Sequence, residues 1–337
     1  MILNILNNKK GRLFCLFFIV FFANCSTPNK QIQANKVAGN ALGTTYHITY
    51  IGQPFVGLED SVDSLLVAFN YGLSTYDPNS FISQFNGNKQ INKDDLKPGF
   101  EHFEVMVEKS KPIVVTTNGA FDPSAAQLFK LYDAFKKQKR MMDTSSIQIA
   151  KAFKGFEDIK FDASGNLIKD RFKSYNFNAI AKGYFVDLLS HMLREKGYEN
   201  HMVEVGGEVN CRGKNIKGEP WNIGINRPEA GENQTNFFEV ISLSDKSMAT
   251  SGNYQNFYVV NDTIIGHTLD PRTGVPVISD LKSATIMHVD CAIADAYATA
   301  CMVLGLKEST KLIEADSSLT AFFIYEENGQ LKGKHVK

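Results

Sequence analysis

The chain has 337 residues, with 36 lysines and arginines against 36 aspartates and glutamates. That balance leaves no global field to recruit nucleic acid or an acidic membrane surface, so binding classes driven by net charge are excluded. Its five cysteines show no CxxC spacing, which indicates neither a disulfide framework nor a zinc site.

At the amino terminus Lys9, Lys10 and Arg12 precede the apolar run Leu13–Ala23, the build of a secretory signal. The run is shorter than the roughly 20 apolar residues that a membrane-spanning helix takes. Cys25, just beyond it, reads as the acylation site of a bacterial lipoprotein, so residues 1–25 form a lipoprotein signal. The competing reading is an ordinary signal with a coincidental cysteine, and Asn24 departs from the small residue usual at that place. Residues 26–40 are polar, lack an apolar period and read as a tether. Residues 41–337 carry no linker-like composition shift and no internal repeat, so one domain is expected.

Within that domain Leu42–Ile51 alternates and is rich in Thr and Tyr, which predicts a strand. Leu58, Val62, Leu65, Phe69 and Leu73 fall near helical spacing, and that helix stops before Asp77–Pro78. A short helix is expected around Glu101–Lys109. A Gly-Ala turn and the Asp122–Pro123 step then introduce a helix that runs to about Lys137. After a polar region, Ile180, Tyr184, Leu188 and Met192 form the apolar stripe of a further helix, with Gly197 as its terminator. From His201 to Val289 the chain is β-rich. "CAIADAYATACMVLG" is a strongly apolar helix, and a closing helix and strands around "LTAFFIY" finish the domain. Asn261–Asp262 and Asn328–Gly329 read as hairpin turns. The pattern predicts an α+β fold, a single domain with a mostly antiparallel sheet. Cys211, Cys291 and Cys301 read as small apolar residues.

Three constellations bear on chemistry. Asp295 and Thr299 stand at i and i+4, on one face of a largely buried helix. A carboxylate there is costly unless it is paired, hydrogen-bonded or bound to a metal. Carboxylate plus hydroxyl suits Mg²⁺; equally, Asp295 caps a neighbouring loop and Thr299 bonds back to its own helix. In "GHTLDPRTG", Gly266–Gly274, His267 at a strand end is a natural proton acceptor or else a structural histidine. Arg272 in the same loop meets a phosphate or ties the turn to a nearby acid. Gly206–Gly207, "NGAFDPS" and "ATSGNYQNF" supply corners where a backbone can approach a ligand closely. None is a P-loop or a dinucleotide fingerprint.

Taken in order, "LGTTYHI", "STYDPNSFISQFN", "GAFDPS", "FNAIAKGYFVD", "VEVGGEV", "ATSGNY", "HTLDPRTG" and "SATI…ADAYATACMVLG" resemble the ApbE-type FAD:protein FMN transferases, from Leu42 to the carboxyl end. The resemblance implies a lipid-anchored enzyme on the periplasmic side of a bacterial membrane. Such an enzyme cleaves Mg²⁺-bound FAD at its pyrophosphate, esterifies FMN to a Thr or Ser hydroxyl of an exported acceptor flavoprotein, and releases AMP. On matching positions it implies Asp295, Thr299 and the backbone oxygen of Ala179 as Mg²⁺ ligands, and Lys182 against the FAD. Tyr76 would stack on the flavin nucleotide, Ala120, Phe121 and Asp122 would line its site, and Leu42 would pack nearby. His267 would be the base that deprotonates the acceptor hydroxyl, and Ser283 would make a backbone contact. The family often has Met where Leu42 stands and Asp where Asn176 stands, so Asn176 keeps a hydrogen bond and loses a charge. The chemistry suits those roles: a Thr hydroxyl is a poor nucleophile until it loses its proton, and a diphosphate accumulates negative charge as it transfers. A FAD pyrophosphatase using water as acceptor, and a flavin-binding lipoprotein without turnover, remain as alternatives.

Overall fold

Among the described residues eight strands form the main sheet, and they lie side by side in the order in which they occur in the chain. They are β1 (Gln33–Ala41), β2 (Thr44–Gly52), β3 (His201–Val205), β4 (Glu208–Arg212), β5 (Lys246–Gly252), β6 (Leu281–His288), β7 (Thr320–Glu327) and β8 (Gln330–Val336). Every neighbouring pair is antiparallel. The computed structural model describes residues 32–337 apart from 88–89, 97–98, 157–159, 170–172, 229–235, 253–256, 261–262 and 267, and describes 257–260 and 263–266 by backbone alone. Residues 32–337 form one compact unit.

The sheet is built from tight reversals. Leu42–Gly43, Gly206–Gly207 and Asn328–Gly329 are two-residue turns in which both residues have positive φ, the condition that lets a short loop follow the twist of its strands. Leu42 and Gly43 are therefore a turn, and the strand predicted over Leu42–Ile51 begins two residues later, at Thr44, as β2. The tether reading also stops short: residues 33–40, assigned to it from the sequence, belong to β1. Their polar composition conceals a period of two, in which Asn35, Val37 and Gly39 are half-buried and Ala41 is buried. The edge of β2 satisfies their backbone groups from Gln33 opposite Gly52 to Ala41 opposite Thr44.

Among the described residues seven α-helices complete the fold: α1 (Leu58–Leu73), α2 (Phe81–Gly87), α3 (Phe100–Thr116), α4 (Ala126–Lys137), α5 (Thr144–Ala152), α6 (Asn178–Glu195) and α7 (Cys291–Glu314). α6 and α7 cross on one face of the sheet, with α1 and α3 outside them. The main core lies between, with Val203, Val205, Ala284, Ile286 and Phe323 pointing into it from the strands. The alternate residues Val209, Cys211, Met287, Phe322 and Ile324 point to the other face, where the hairpin Trp221–Asn226/Phe237–Leu243 covers them.

α3 runs seven residues past the expected Lys109, through an interior proline at Pro112, because Ile113 on its last turns is buried in the core. α6 stops where expected, and Gly197 takes φ 83° as its terminator. Its buried face centres on Phe185, Leu189 and Leu193, however, and Leu188 and Met192 are half-buried. The sheet, α1 and α7 all press on this helix, and no single stripe describes that. The polar region holds α5, whose start is capped by the Asp143 carboxylate accepting from the Ser146 N–H at 2.8 Å. Among the described residues no helix is long and apolar enough to cross a membrane. Cys211, Cys291 and Cys301 are buried free thiols.

Candidate active site

Antiparallel order brings distant segments to one end of the sheet. β4 leaves the Gly206–Gly207 turn at that end, and β5 returns to it, extending past the start of β4 to Ser251 and Gly252. Gly252 lies opposite Ser283 at the start of β6. The Leu42–Gly43 turn is beside them, since the Gly206 N–H donates to the Thr45 carbonyl at 3.1 Å. α6 reverses into β3, so its first turn also lies over this end.

Here a cavity of about 320 Å³ opens. Ala120, Phe121, Asp122 and Pro123 form one wall, and Asn176, Asn178 and Ala179 at the start of α6 form another. Ser251–Gly252, the stretch Thr268, Leu269 and Pro271, and Thr299, Met302 and Val303 of α7 complete it. Each wall is held from behind. Tyr175 and Phe177 turn into the core, their rings stacked 5.8 Å apart, which leaves Asn176 between them facing the cavity. The Asn176 N–H donates to the Pro123 carbonyl at 2.9 Å, and its Oδ1 accepts from the Asn178 N–H at 2.9 Å. Asp122 is buried and accepts from the Ser124 N–H at 2.9 Å and its hydroxyl at 2.6 Å, with the Lys154 ammonium 3.5 Å away.

Behind the α6 and α7 walls sits a buried polar cluster. The Asp295 carboxylate accepts from the Gly183 N–H at 3.0 Å, the amide that helical register directs at the Ala179 carbonyl. Asp295 therefore stands beside that carbonyl, one turn from Thr299. This close approach requires a glycine: a Cβ on Gly183 would lie 2.9 Å from the Ala292 Cα, and nearer still to the Cys291 carbonyl. Burial raises the Asp295 pKa, against the lowering influence of Lys182 and the Gly183 N–H. The Lys182 ammonium is engaged elsewhere, donating to both oxygens of Glu208 at 2.7 and 2.8 Å. Burial, and then Asp295, push the Glu208 carboxyl up to about 8 despite that ammonium. Burial works against the Lys182 charge, and Glu208 and Asp295 more than offset it, holding its pKa above the usual value.

Carboxylate, hydroxyl and carbonyl oxygens suit a hard cation. Asp295 has no hydrogen-bond donor besides Gly183 among the described residues, so carboxylate capacity is left over in a buried site. The residues fit Mg²⁺ with water or phosphate oxygens completing the shell. Among the described residues no group of three or more His, Cys, Asp and Glu is arranged to hold a metal ion.

Of the residues singled out from the sequence, Ala120, Phe121, Asp122, Asn176, Ala179 and Thr299 line the cavity, and Asp295 and Lys182 lie in the cluster behind it. Leu42 and Ser283 sit at the same sheet end without lining the cavity. Tyr76 is 88 % exposed in the turn after α1 and is not among the lining residues. His267 and Cys25 lie outside the described residues; Thr268, next in the chain to His267, lines the cavity. Arg272 is tied to the nearby acid: its guanidinium clasps Asp270 with Nε and Nη2 each 2.9 Å from a carboxylate oxygen. Glu208 was missed, because it follows the Gly206–Gly207 pair in an apolar strand and nothing in its spacing announces a partner on α6.

One antiparallel sheet, with buried charges and a cleft gathered at one end under two crossed helices, defines a single-domain α+β enzyme. The chain belongs to the ApbE family, whose sequence profile matches residues 42–323. It is 30 % identical over 325 residues to a FAD:protein FMN transferase of Vibrio cholerae, covering 94 % of each chain. It is 27 % identical over 335 residues to the FAD:protein FMN transferase of Escherichia coli K12, covering 95 % of this chain and 94 % of that one. The apo crystal structure of the Pseudomonas stutzeri flavinyl transferase ApbE superposes with a TM-score of 0.79 at 28 % identity, over 91 % of this chain and 96 % of that one.

Proposed function

We propose that this chain is a Mg²⁺-dependent FAD:protein FMN transferase that moves FMN from FAD to a Thr or Ser hydroxyl of an exported flavoprotein and releases AMP. The observation that carries the reading is the placement of buried Asp295 beside the Ala179 carbonyl, one turn from Thr299, at a cavity walled by Ala179 and Thr299. Family membership supplies the substrate class. Mg²⁺ held by Asp295, Thr299 and the Ala179 carbonyl would neutralise charge on the diphosphate and orient the leaving group.

In this reading the Ala120–Pro123 wall and Asn176 bound the nucleotide, Lys182 lies against it, and Leu42 and Tyr76 meet it outside the cavity. His267 takes the proton of the acceptor hydroxyl. The acceptor oxygen bonds to the FMN-side phosphorus, the bond from that phosphorus to the bridging oxygen breaks, and AMP leaves carrying that oxygen. His267 is the residue before cavity-lining Thr268 in the chain, which supports that role. A signal ending at lipid-bearing Cys25 would place the enzyme on the periplasmic side of a bacterial membrane.

The test combines the chain, FAD, Mg²⁺ and a Thr-bearing exported flavoprotein domain, following AMP and the intact mass of the acceptor. AMP together with an acceptor heavier by FMN less water is the expected result. AMP without the adduct means hydrolysis, and FAD bound without AMP means a carrier; either outcome overturns the proposal.

A further inference from the structure

We infer that the outer surface of α4 and α5 is the docking site for an acidic segment of the acceptor protein. The inference takes its occupant from the transferase reading and its chemistry from the surface itself. From Ala126 to Phe156 the chain carries seven lysines and arginines against Asp133 and Asp143, in a protein whose basic and acidic residues are equal in number over its whole length. Glu157 and Asp158 follow and lie outside the described residues.

Two of these cations have partners: Arg140 stands 5.4 Å over the Phe135 ring, and Lys154 pairs with Asp122. Lys130, Lys136, Lys137, Lys139 and Lys151 are in no ion pair or side-chain hydrogen bond among the described residues. A lysine-rich helix end is commonly no more than a solvated face that complements the helix dipole. Two observations set this one apart. First, large apolar side chains are exposed among the cations, Met141 at 51 % and Ile149 at 61 %. Second, the same layer builds the site. Leu128, Tyr132, Ala150 and Leu269 share a small core, with Phe129 packed against it, and Phe129 and Leu269 line the cavity. The loop that follows His267 rests on this layer: a Cβ on Gly274 would fall 2.5 Å from Ile147 and 3.3 Å from Leu128.

α4 and α5 thus both pack against the loop that follows His267 and, with the turn after α4, carry these five lysines. A protein that brings a hydroxyl to this loop comes close to them, and opposite charge would steer and register it. Anionic lipid also suits basic and apolar groups together. The proposed reaction, however, needs a protein at the loop these helices support, and that favours the acceptor over a bilayer.

The test is fluorescence anisotropy with an Asp/Glu-rich peptide holding one central Thr, and with a lysine-rich peptide of equal length. It uses the full chain and the triple variant Lys130→Glu/Lys137→Glu/Lys139→Glu. The control is Lys214→Glu/Lys217→Glu/Lys246→Glu, at the opposite end of the sheet. The expected result is binding of the acidic peptide alone, weakened about tenfold or more by the triple variant, unaffected by the control and lost with added salt. Acceptor KM should rise in step, with kcat and FAD affinity unchanged. Equal loss in the control overturns the inference. So does a triple variant that keeps the peptide yet no longer binds phosphatidylglycerol vesicles. If the wild-type chain binds the acidic peptide through these lysines but transfers no FMN, the transferase reading falls and the acidic docking surface stands. If transfer proceeds with acceptor KM unmoved in the triple variant, the docking surface falls and the transferase reading stands.

Discussion

Asp295→Asn should make the protein more stable while ending its use of Mg²⁺. Asp295 is 4 % exposed, and burial raises its pKa. Its nearest cation, Lys182, is already bonded to Glu208, so the ionised cluster holds two carboxylates against one ammonium. An Asn carbonyl can accept the Gly183 N–H in the same position and removes the surplus charge. Neutral isosteres of uncompensated buried charges are neutral to stabilising by about 1–2 kcal/mol. For a domain of this size that corresponds to a Tm higher by about 2–4 °C without metal. The sign follows from linkage: an acid with a raised folded-state pKa contributes stability below its unfolded pKa and loses it as pH rises through the folded pKa. The gain from Asn should therefore vanish below about pH 4 and be present at neutral pH. Thermal unfolding in EDTA and in Mg²⁺ reads both effects. Mg²⁺ should raise the wild-type Tm, by about 2.7 kcal/mol of linkage at a hundredfold excess over Kd, and leave the variant unmoved. A variant that melts several degrees lower and still responds to Mg²⁺ would show that Asp295 is a structural hydrogen-bond acceptor and no ligand.

Three further outcomes are expected. Gly183→Ala places a methyl against the backbone of Cys291 and Ala292, which no rotamer relieves; overpacking of about 1–3 kcal/mol should outweigh the gain of about 1 kcal/mol in helix propensity. Tm should fall and Mg²⁺ affinity with it, as Asp295 is moved off Ala179; an unchanged Tm would mean that the helices separate freely. His267→Ala should keep FAD bound while slowing transfer by about 100- to 10,000-fold, and loss of FAD instead would make the histidine a binding residue. His201 is fully buried, bonded to Ser190 at 2.8 Å, and burial pushes its pKa down to about 4. A base with a depressed folded-state pKa costs stability as pH falls from about 6.5 to about 4, on the order of 1.4 kcal/mol per pH unit. Urea unfolding of His201→Asn should show a shallower acid limb than wild type, and parallel limbs would refute the assignment.

Much of the fold was legible in residue order. Period-two runs from His201 onward, the stop of α1 before Asp77–Pro78, the Gly197 terminator of α6 and the Asn328–Gly329 turn are local chemistry, and the elements form where that chemistry puts them. β1 escaped because its pattern alternates among polar and small residues, and its hydrogen bonds come from β2. The extent of α3 and the buried face of α6 escaped for a related reason, since both depend on which neighbours press on a helix.

The site divides in the same way. Sequence by itself determined the donor types and their i, i+4 spacing at Asp295 and Thr299, the wall "GAFDPS" and the family, because these are properties of contiguous residues. Only tertiary structure decided that the Gly183 N–H joins Asp295 to Ala179, that Glu208 occupies Lys182, and that α4 and α5 pack against the loop that follows His267. Those pairings cross about 20 to 150 residues of chain and are set by strand order and helix crossing, where a single missing Cβ fixes how closely two backbones meet.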